Sequence, residues 1–156
     1  MIKVEIPGWG GIEVENFVID LNGTLATDGK IPPEVKKKLN ELSEKAGIYI
    51  LTADTLGTAV EDCQGIKGKL VTTSEEESAG AKFEFLESLD LEKTVAIGNG
   101  SNDQRVLKEA GLGIAVLGAE GLSTSAIKQA DILVKDVSDA LDLFTKPKRL
   151  IATLRE

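Results

Sequence analysis

The feature that most constrains this chain is a short apolar run that ends in a carboxylate and is followed at once by a glycine turn. The run is Phe17-Val18-Ile19-Asp20, and Leu21-Asn22-Gly23 follows it. A short apolar run bounded by a turn is typical of a strand buried on both faces of a sheet. In α/β proteins, reactive groups are presented at the carboxyl ends of such strands. The sequence therefore predicts that Asp20 lies at the functional edge of a parallel sheet.

The rest of the chain alternates between apolar strands and amphipathic helices. Further strands are predicted at residues 48–51, 69–72, 94–97, 113–116 and 131–134, and helices at 32–45, 55–63, 78–89, 102–110, 123–129 and 138–154, with a break at Pro147. This alternation predicts a three-layer, Rossmann-like α/β fold with helices on both faces of a parallel sheet. Counting from the strand at residue 17, we expect the strand order 3-2-1-4-5-6.

The amino-terminal segment has a different pattern. Residues 2–6 and 12–15 alternate apolar and polar side chains and are separated by Pro7-Gly8-Trp9-Gly10-Gly11. This pattern predicts a β-hairpin, which we expect at a sheet edge.

Composition narrows the classes of function. The length of 156 residues is that of one ordinary domain, so we expect a single domain over residues 1–156. The net charge of −8 disfavours nucleic acid as a partner, because its phosphates would be repelled. No apolar run is long enough to span a membrane, and we expect a cytoplasmic protein.

The absence of histidine limits the chemistry further. With no histidine and with Cys63 as the only cysteine, the sequence excludes a Ser-His-Asp triad, a Cys-His pair and a His-ligated metal. Carboxylates, hydroxyls, lysine and a hard cation remain. Asp20, Thr52, Lys82 and Asp103 supply these groups, three of them at predicted strand ends, and the set is typical of a phosphate and metal site.

Each residue of this set also has a structural interpretation. Asp20 could cap the turn that follows it, and Thr52 could be a hydroxyl that ends its strand. Lys67 and Lys69 compete with Lys82 for the role of the cation.

Four segments, in order, resemble the motifs of the haloacid dehalogenase superfamily. Asp20-Leu21-Asn22-Gly23-Thr24 resembles the first motif, Thr52 the second, Lys82 the third, and Gly98-Asn99-Gly100-Ser101-Asn102-Asp103 the fourth. The chain is most similar to the small soluble P-type-ATPase-like hydrolases of prokaryotes. The likeness extends over nearly the whole chain, including residues 51–55 and 146–150.

The resemblance implies a magnesium-dependent phosphohydrolase. Asp20 would be the nucleophile and would form an aspartyl-phosphate. Thr52 and the backbone amides after Asp20 would hold the phosphoryl oxygens, and Lys82 would neutralise their charge. Asp20, the backbone carbonyl of Asn22 and the side chain of residue 99 would bind Mg²⁺. Asp103 would hold a metal-bound water or Lys82.

Two residues depart from the superfamily pattern. Asn22 stands where most phosphatases of the superfamily carry an aspartate that protonates the leaving group, and Asn99 replaces a carboxylate metal ligand. Each precedes a glycine, so turn geometry is an alternative explanation for either one. We therefore expect slow turnover by an HAD-type phosphatase. The alternatives are a weak or inactive relative that binds a phosphate or a protein, and carboxylate chemistry without a metal, as in the dehalogenases.

The chain leaves no room for a cap domain. Relatives usually insert one between the first and third motifs, but here residues 24–52 and 52–82 hold only short elements. An open site suits a phosphorylated small molecule, a phosphoprotein, or closure by a neighbouring subunit of a homo-oligomer. The hairpin with Trp9 is our candidate for that subunit contact; alternatively, Trp9 covers an edge of its own sheet.

Overall fold

Short apolar runs form the strands of this protein, whose computed structural model describes residues 1–53, 57–74 and 78–156. The strands are β1 (Ile2–Ile6), β2 (Gly10–Val14), β3 (Asn16–Asp20), β4 (Gly47–Thr52), β5 (Lys69–Thr72), β6 (Thr94–Gly98), β7 (Leu112–Val116) and β8 (Ile132–Val134). Strands β3 to β8 form one parallel sheet in the order β5-β4-β3-β6-β7-β8. The predicted strand order is thus confirmed.

Helices connect these strands. They are α1 (Pro33–Ser43), α2 (Ala59–Asp62), α3 (Ser78–Glu87), α4 (Gln104–Glu109), α5 (Thr124–Gln129), α6 (Val137–Thr145) and α7 (Pro147–Leu154), with 3₁₀ turns at Leu91–Lys93 and Ser101–Asp103. Pro147 begins α7, as its fixed φ and missing N–H favour at a helix start. The predicted helix at 55–63 is described only in part, because residues 54–56 lie outside the described residues. The acidic run at 75–77 lies outside them as well.

Two apolar clusters cover the two faces of the sheet. On one face, alternate residues of the strands pack with α1, α6 and α7, and the ring of Phe17 meets Phe144 edge-on at 4.9 Å between centroids. On the other face, Val18, Leu51 and Ala96 pack with α3, α4 and α5. Because both faces are buried, the central strands are apolar throughout, and polar residues are confined to the strand ends.

The amino-terminal hairpin forms, but its predicted place at a sheet edge was wrong. Strands β1 and β2 pair only with each other among the described strands, and the edges of the six-stranded sheet are β5 and β8. The alternating apolar side chains of β1 and β2 lie instead in the cluster that includes α7. The hairpin lies beside α7 because the apolar face of β1 and β2 is buried there against the core.

The hairpin lies at the opposite end of the sheet from Asp20. Strand β2 leads through Glu15 into the amino end of β3, whereas Asp20 is at the carboxyl end of β3. Trp9, near the hairpin tip, is exposed. The hairpin therefore does not cover the Asp20 end of its own chain, and contact with another subunit stays a prediction.

Two further features of the chain concern its organisation. Among the described residues, no helix combines the length and the apolar character that crossing a membrane requires. Between Thr24 and Thr52 the chain forms α1, and between Thr52 and Lys82 its described residues form α2, β5 and the start of α3. A single domain over residues 1–156 and a cytoplasmic location remain predictions.

Candidate functional site

The site is built at the carboxyl end of β3, where the chain turns sharply after Asp20. We call residues 21–27 the Gly23 turn. Its backbone is closed by bonds from the amides of Gly23 to Ala26 and of Ala26 to Leu21, both 2.9 Å long. Gly23 has φ +79°, a left-handed conformation that disfavours other residues. The turn thus requires the glycine that follows Asn22.

Lys82 reaches this strand end from α3. Its Nζ lies 2.7 Å from Oδ1 of Asp20 and 2.7 Å from Oδ1 of Asp103, and only 2% of the side chain is exposed. Lys67 and Lys69 are exposed, and Lys69 begins β5, at the other end of the sheet. The structure therefore selects Lys82 from the three lysines that the sequence offered.

Asp103 is fixed by the loop that follows β6. Its Oδ2 accepts hydrogen bonds from the backbone amides of Asn99, at 3.1 Å, and Gly100, at 2.9 Å, while its Oδ1 accepts from Lys82. Both oxygens of this buried carboxylate are thus bonded to protein donors. This arrangement suits Asp103 to holding Lys82 in place more than to binding a metal directly.

The electrostatics of the three groups are unbalanced, with two carboxylates sharing one ammonium. Burial, together with the nearby charge of Asp103, raises the pKa of Asp20 to about 7, against the opposing effects of Lys82 and Thr24. Burial alone would lower the pKa of Lys82, but the two carboxylates raise it above its ordinary value. Lys82 therefore stays charged, and the cluster carries excess negative charge whenever both carboxyl groups are ionised.

The Thr24 hydroxyl lies between two oxygen atoms of the site. It is 3.2 Å from Oδ2 of Asp20 and 3.1 Å from Oδ1 of Asn99. Because a hydroxyl carries one hydrogen, it can donate to only one of these oxygens at a time. The other oxygen keeps a lone pair directed at the same space. Carboxylate and amide oxygens are ligands that hard divalent cations prefer, so these residues fit such a cation.

Thr52 and Asn22 complete the predicted set on the β4 side. Thr52 is buried at the end of β4, next to β3, and its Oγ1 accepts a 3.3 Å hydrogen bond from Nδ2 of the exposed Asn22. Asn22 therefore acts as a donor in this structure. An amide has no proton to give to a leaving group at neutral pH, so it cannot replace the missing acid.

The structure brings the residues predicted from the sequence to one end of the sheet. Asp20 ends β3, Thr52 ends the adjacent β4, and Asn99 follows β6 on the other side of β3. Asn22 lies in the Gly23 turn, and Lys82 and Asp103 enter from the α3 and α4 side. Two groups were missed: the side chain of Thr24 and the backbone carbonyl of Gly121, which accepts from Nδ2 of Asn99 at 3.1 Å. Thr24 could have been found in the Asp-x-Asn-Gly-Thr pattern, whereas no local signal marks Gly121.

Comparison with known sequences identifies relatives of this chain. The family model of the haloacid dehalogenase-like hydrolases matches residues 83–140. An uncharacterized protein of Methanocaldococcus jannaschii is 50% identical over 80 residues, which are 49% of this chain and 86% of that protein. A soluble P-type ATPase-like phosphatase of the same organism is 22% identical over 149 residues, which are 92% of this chain. This chain spans about half of that phosphatase, 54% of its length.

Comparison with solved structures identifies the same fold. The 3-deoxy-D-manno-octulosonate 8-phosphate phosphatase of Moraxella catarrhalis, crystallised with magnesium, phosphate and KDO, superposes with a TM-score of 0.70. The match covers 91% of this chain and 94% of that one, at 18% sequence identity. At 18% sequence identity the likeness shows the fold alone.

Proposed function

This chain belongs to the haloacid dehalogenase-like hydrolases, and we propose that it is a phosphohydrolase that forms an aspartyl-phosphate on Asp20. The observation that carries the proposal is the bridge of Lys82 between Asp20 and Asp103, 2.7 Å from each, at the carboxyl end of β3. A buried ammonium beside a carboxylate at a strand end can attract a phosphate monoester to that carboxylate.

The first step is attack by a carboxylate oxygen of Asp20 on phosphorus. The bond from Asp20 to phosphorus forms as the bond from phosphorus to the ester oxygen breaks, and the leaving alcohol takes a proton from solvent. Water then attacks phosphorus, the acyl-phosphate bond breaks, and Asp20 and inorganic phosphate are released. The proton taken up by the alcohol in the first step is returned to solvent when water is consumed in the second, so the two steps together need only the ester and one water.

The neighbouring residues stabilise the charge that spreads over the phosphoryl oxygens. Lys82 provides a positive charge in a poorly solvated place, where its effect is large. The Thr52 hydroxyl and the backbone amide of Asn22 would donate hydrogen bonds to these oxygens, whereas the other amides of the Gly23 turn already donate to backbone carbonyls. Asp103 fixes Lys82 and the loop after β6, so that the ammonium group of Lys82 needs little rearrangement when phosphate binds.

We propose that a divalent cation, Mg²⁺ in the cell, binds beside Asp20. Asp20, the backbone carbonyl of Asn22 and Oδ1 of Asn99 would hold it, with Asp103 contributing through Lys82 or a water. When bound, such a cation neutralises the phosphate charge and orients the ester for in-line attack. The excess negative charge of the cluster and the shared hydroxyl of Thr24 support this assignment.

We further propose that turnover is slow and that the substrate is a phosphate monoester. Asn22 cannot protonate the leaving group or activate water, and such proton transfer typically contributes ~10²–10⁴-fold. The substrate would be a phosphorylated small molecule or a phosphoprotein. The KDO 8-phosphate phosphatase with the same fold favours the former by analogy of fold alone.

A panel of phosphate monoesters, assayed with Mg²⁺ and with EDTA, tests this function. We expect phosphate release that depends on the cation and disappears in the Asp20→Ala protein. Release that is equal in EDTA would argue against the cation, and release that is equal in Asp20→Ala would argue against the covalent mechanism.

A binding role without turnover is the second candidate, and the two asparagines favour it. Asn22 and Asn99 both replace residues that hydrolysis uses, while Lys82 and the turn amide that would hold phosphate are kept. If no ester of the panel is hydrolysed, calorimetric titration of inorganic phosphate with Mg²⁺ should still show binding, and Lys82→Met should abolish it.

A further inference from the structure

The side chain of Asn99 makes a pair of hydrogen bonds that a carboxylate at this position could not make. Its Nδ2 donates to the backbone carbonyl of Gly121 at 3.1 Å, and its Oδ1 lies 3.1 Å from the Thr24 hydroxyl, from which it can accept. Its backbone carbonyl also accepts from the amide of Ser123 at 2.8 Å. Asn99 thus connects the end of β6 with two loops, the Gly23 turn and residues 117–123, which we call the Gly121 loop.

The two loops are closely packed around this side chain. A Cβ atom added to Gly23 would lie 2.5 Å from Nδ2 of Asn99, and one added to Gly118 would lie 3.2 Å from the carbonyl oxygen of Gly23. The amide of Asp28 donates to Oε2 of Glu120 at 3.3 Å, which joins the same two regions at the surface. The amide of Asn99 is therefore enclosed by glycine backbone on both sides.

We propose that Asn99 is an inter-loop clasp, and that its amide donor fixes the Gly121 loop against the Gly23 turn. The acceptor of this donor, the backbone carbonyl of Gly121, is the reason that an amide is needed. A backbone carbonyl can only accept, and both oxygens of a carboxylate also only accept, so no rotation of an aspartate would restore the bond to Gly121. The departure from an acid at this position therefore has a structural cause of its own.

Asn22, the other departure, differs in this respect. Its Nδ2 donates to the hydroxyl of Thr52, and a hydroxyl can donate as well as accept. An aspartate at position 22 could receive a hydrogen bond from Thr52 with the direction reversed. Only at position 99 does the structure require an amide.

The value of the clasp rests on the proposed function. The Gly23 turn holds the backbone amide of Asn22, which is proposed to donate to a phosphoryl oxygen, and preorganised donors stabilise charge best. The Gly121 loop supports this turn from the β7 side. Compared with an aspartate at position 99, Asn99 lacks one negative charge beside the proposed cation but makes the Gly23 turn more ordered.

Amide hydrogen exchange, followed by mass spectrometry in EDTA without substrate, tests the clasp separately from catalysis. The variants are Asn99→Asp and Asn99→Ala, with Asn102→Asp as the matched control. Asn102 is in the same loop and donates to the hydroxyl of Ser78 at 3.2 Å, a partner that can reverse direction. The control therefore adds the same charge without removing an irreplaceable donor.

We expect exchange in peptides covering residues 117–123 and 21–27 to be about tenfold faster in both Asn99 variants, the effect of losing one ordinary hydrogen bond. Exchange in α7 should not change, and Asn102→Asp should match the wild type in all three regions. Wild-type exchange of both loops in Asn99→Asp would overturn the clasp. Equal acceleration of α7 would also overturn it, because the effect would then be global unfolding.

Discussion

Two groups of charged side chains in this protein use the same residue types with opposite balance. In the Asp20 cluster, formed by Asp20, Lys82 and Asp103, two carboxylates share one ammonium. In the Asp142 cluster, formed by Asp142, Lys38, Lys146 and Arg149, one carboxylate accepts from three cations, at 2.9, 3.0 and 3.2 Å. The first lies at the carboxyl ends of the strands, and the second joins α1 to α6 and α7.

The pKa values reflect this difference. Burial and Asp103 raise the pKa of Asp20 to about 7, so its charge is held at a cost to the fold. Burial also tends to raise the pKa of Asp142, but hydrogen bonds from Lys38 and Lys146 prevail and lower it to about 2. The Asp142 cluster is satisfied by the protein alone, whereas the Asp20 cluster has a charge left for a ligand. A perturbed carboxylate indicates function where its surroundings leave it unsatisfied.

The largest expected effect comes from removing a carboxylate from each cluster in turn. Asp20→Ala should reduce phosphate release more than ~10³-fold, because the proposed nucleophile is lost. Asp142→Ala should leave the rate per folded molecule within about twofold, since the cluster lies away from the strand ends. Steady-state assays of both variants, corrected for the folded fraction, make the comparison. Comparable losses in the two variants would erase the functional distinction between the clusters.

The second prediction is the reverse effect on stability. Asp142→Asn should lower the free energy of unfolding at pH 7 by about 1–2 kcal/mol, because three cations lose their shared carboxylate. The estimate is reduced for solvent screening, since the side chains of Lys146 and Arg149 are 55% and 52% exposed. Urea unfolding measures it, with Glu13→Gln, in an exposed pair with Lys3, as the control that should change little.

The pH dependence of this effect has a definite sign. The folded pKa of Asp142 lies below its ordinary value of 3.8, so its contribution is present above about pH 4 and is lost as the pH falls toward 2. Wild type and Asp142→Asn should therefore converge in stability between pH 4 and about pH 2. A difference that persists unchanged at pH 2 would mean that the carboxylate charge is not what stabilises the cluster.

A third prediction concerns the acid that the Asp20 cluster lacks. Asn22→Asp should raise turnover about tenfold, toward the low end of what general acid–base groups supply. The Thr52 hydroxyl can donate to the new carboxylate, so the local bond need not be lost. Single-turnover and steady-state rates with one phosphate ester test this. A flat rate with intact cation binding would show that proton transfer is not limiting and would favour the binding role. Asn22 precedes Gly23, so mass spectrometry should confirm that the wild-type sample is not deamidated.

The smallest effect is expected for the affinity of the cation. Asn99→Asp should tighten Mg²⁺ binding several-fold in the absence of phosphate, because it adds a charge beside a hard cation. Added phosphate should reduce the difference, since its oxygens supply charge to both proteins. Calorimetric titration of Mg²⁺ into the two proteins measures it. Equal affinities would mean that Asn99 is not a ligand of the cation.

Most of the fold could be predicted from the sequence because its signals are local. Apolar runs predicted the strands β3 to β8, alternation with helices predicted a parallel sheet, and the Rossmann-like fold class predicted the strand order. Pro147 marked the break that the structure places between α6 and α7. The hairpin was placed wrongly because alternation shows that one face is buried but does not show what buries it. Its face packs in the cluster with α7, which is more than 130 residues away in the chain.

The sequence predicted which residues form the site, but it did not predict which of them contact one another. The four motifs identified Asp20, Thr52, Lys82 and Asp103, and the structure brings their elements together. Sequence spacing could not show that Lys82 is buried and bridges two carboxylates, because this depends on how α3 packs on the sheet. The partners of the two asparagines, Thr52 and Gly121, are likewise set by tertiary contacts, and so is the Asp142 cluster.

Acid-quenched mass spectrometry of the wild-type protein, taken during turnover of a phosphate ester with Mg²⁺, tests the central claim most directly. Because an amide at position 22 cannot activate water, we expect the proposed intermediate to accumulate and predict that the peptide containing Asp20 gains the mass of one phosphoryl group. The adduct should be cleaved by hydroxylamine and be absent from the Asp20→Ala protein. Turnover with a phosphoryl group on another residue, or undiminished turnover of Asp20→Ala, would contradict the account.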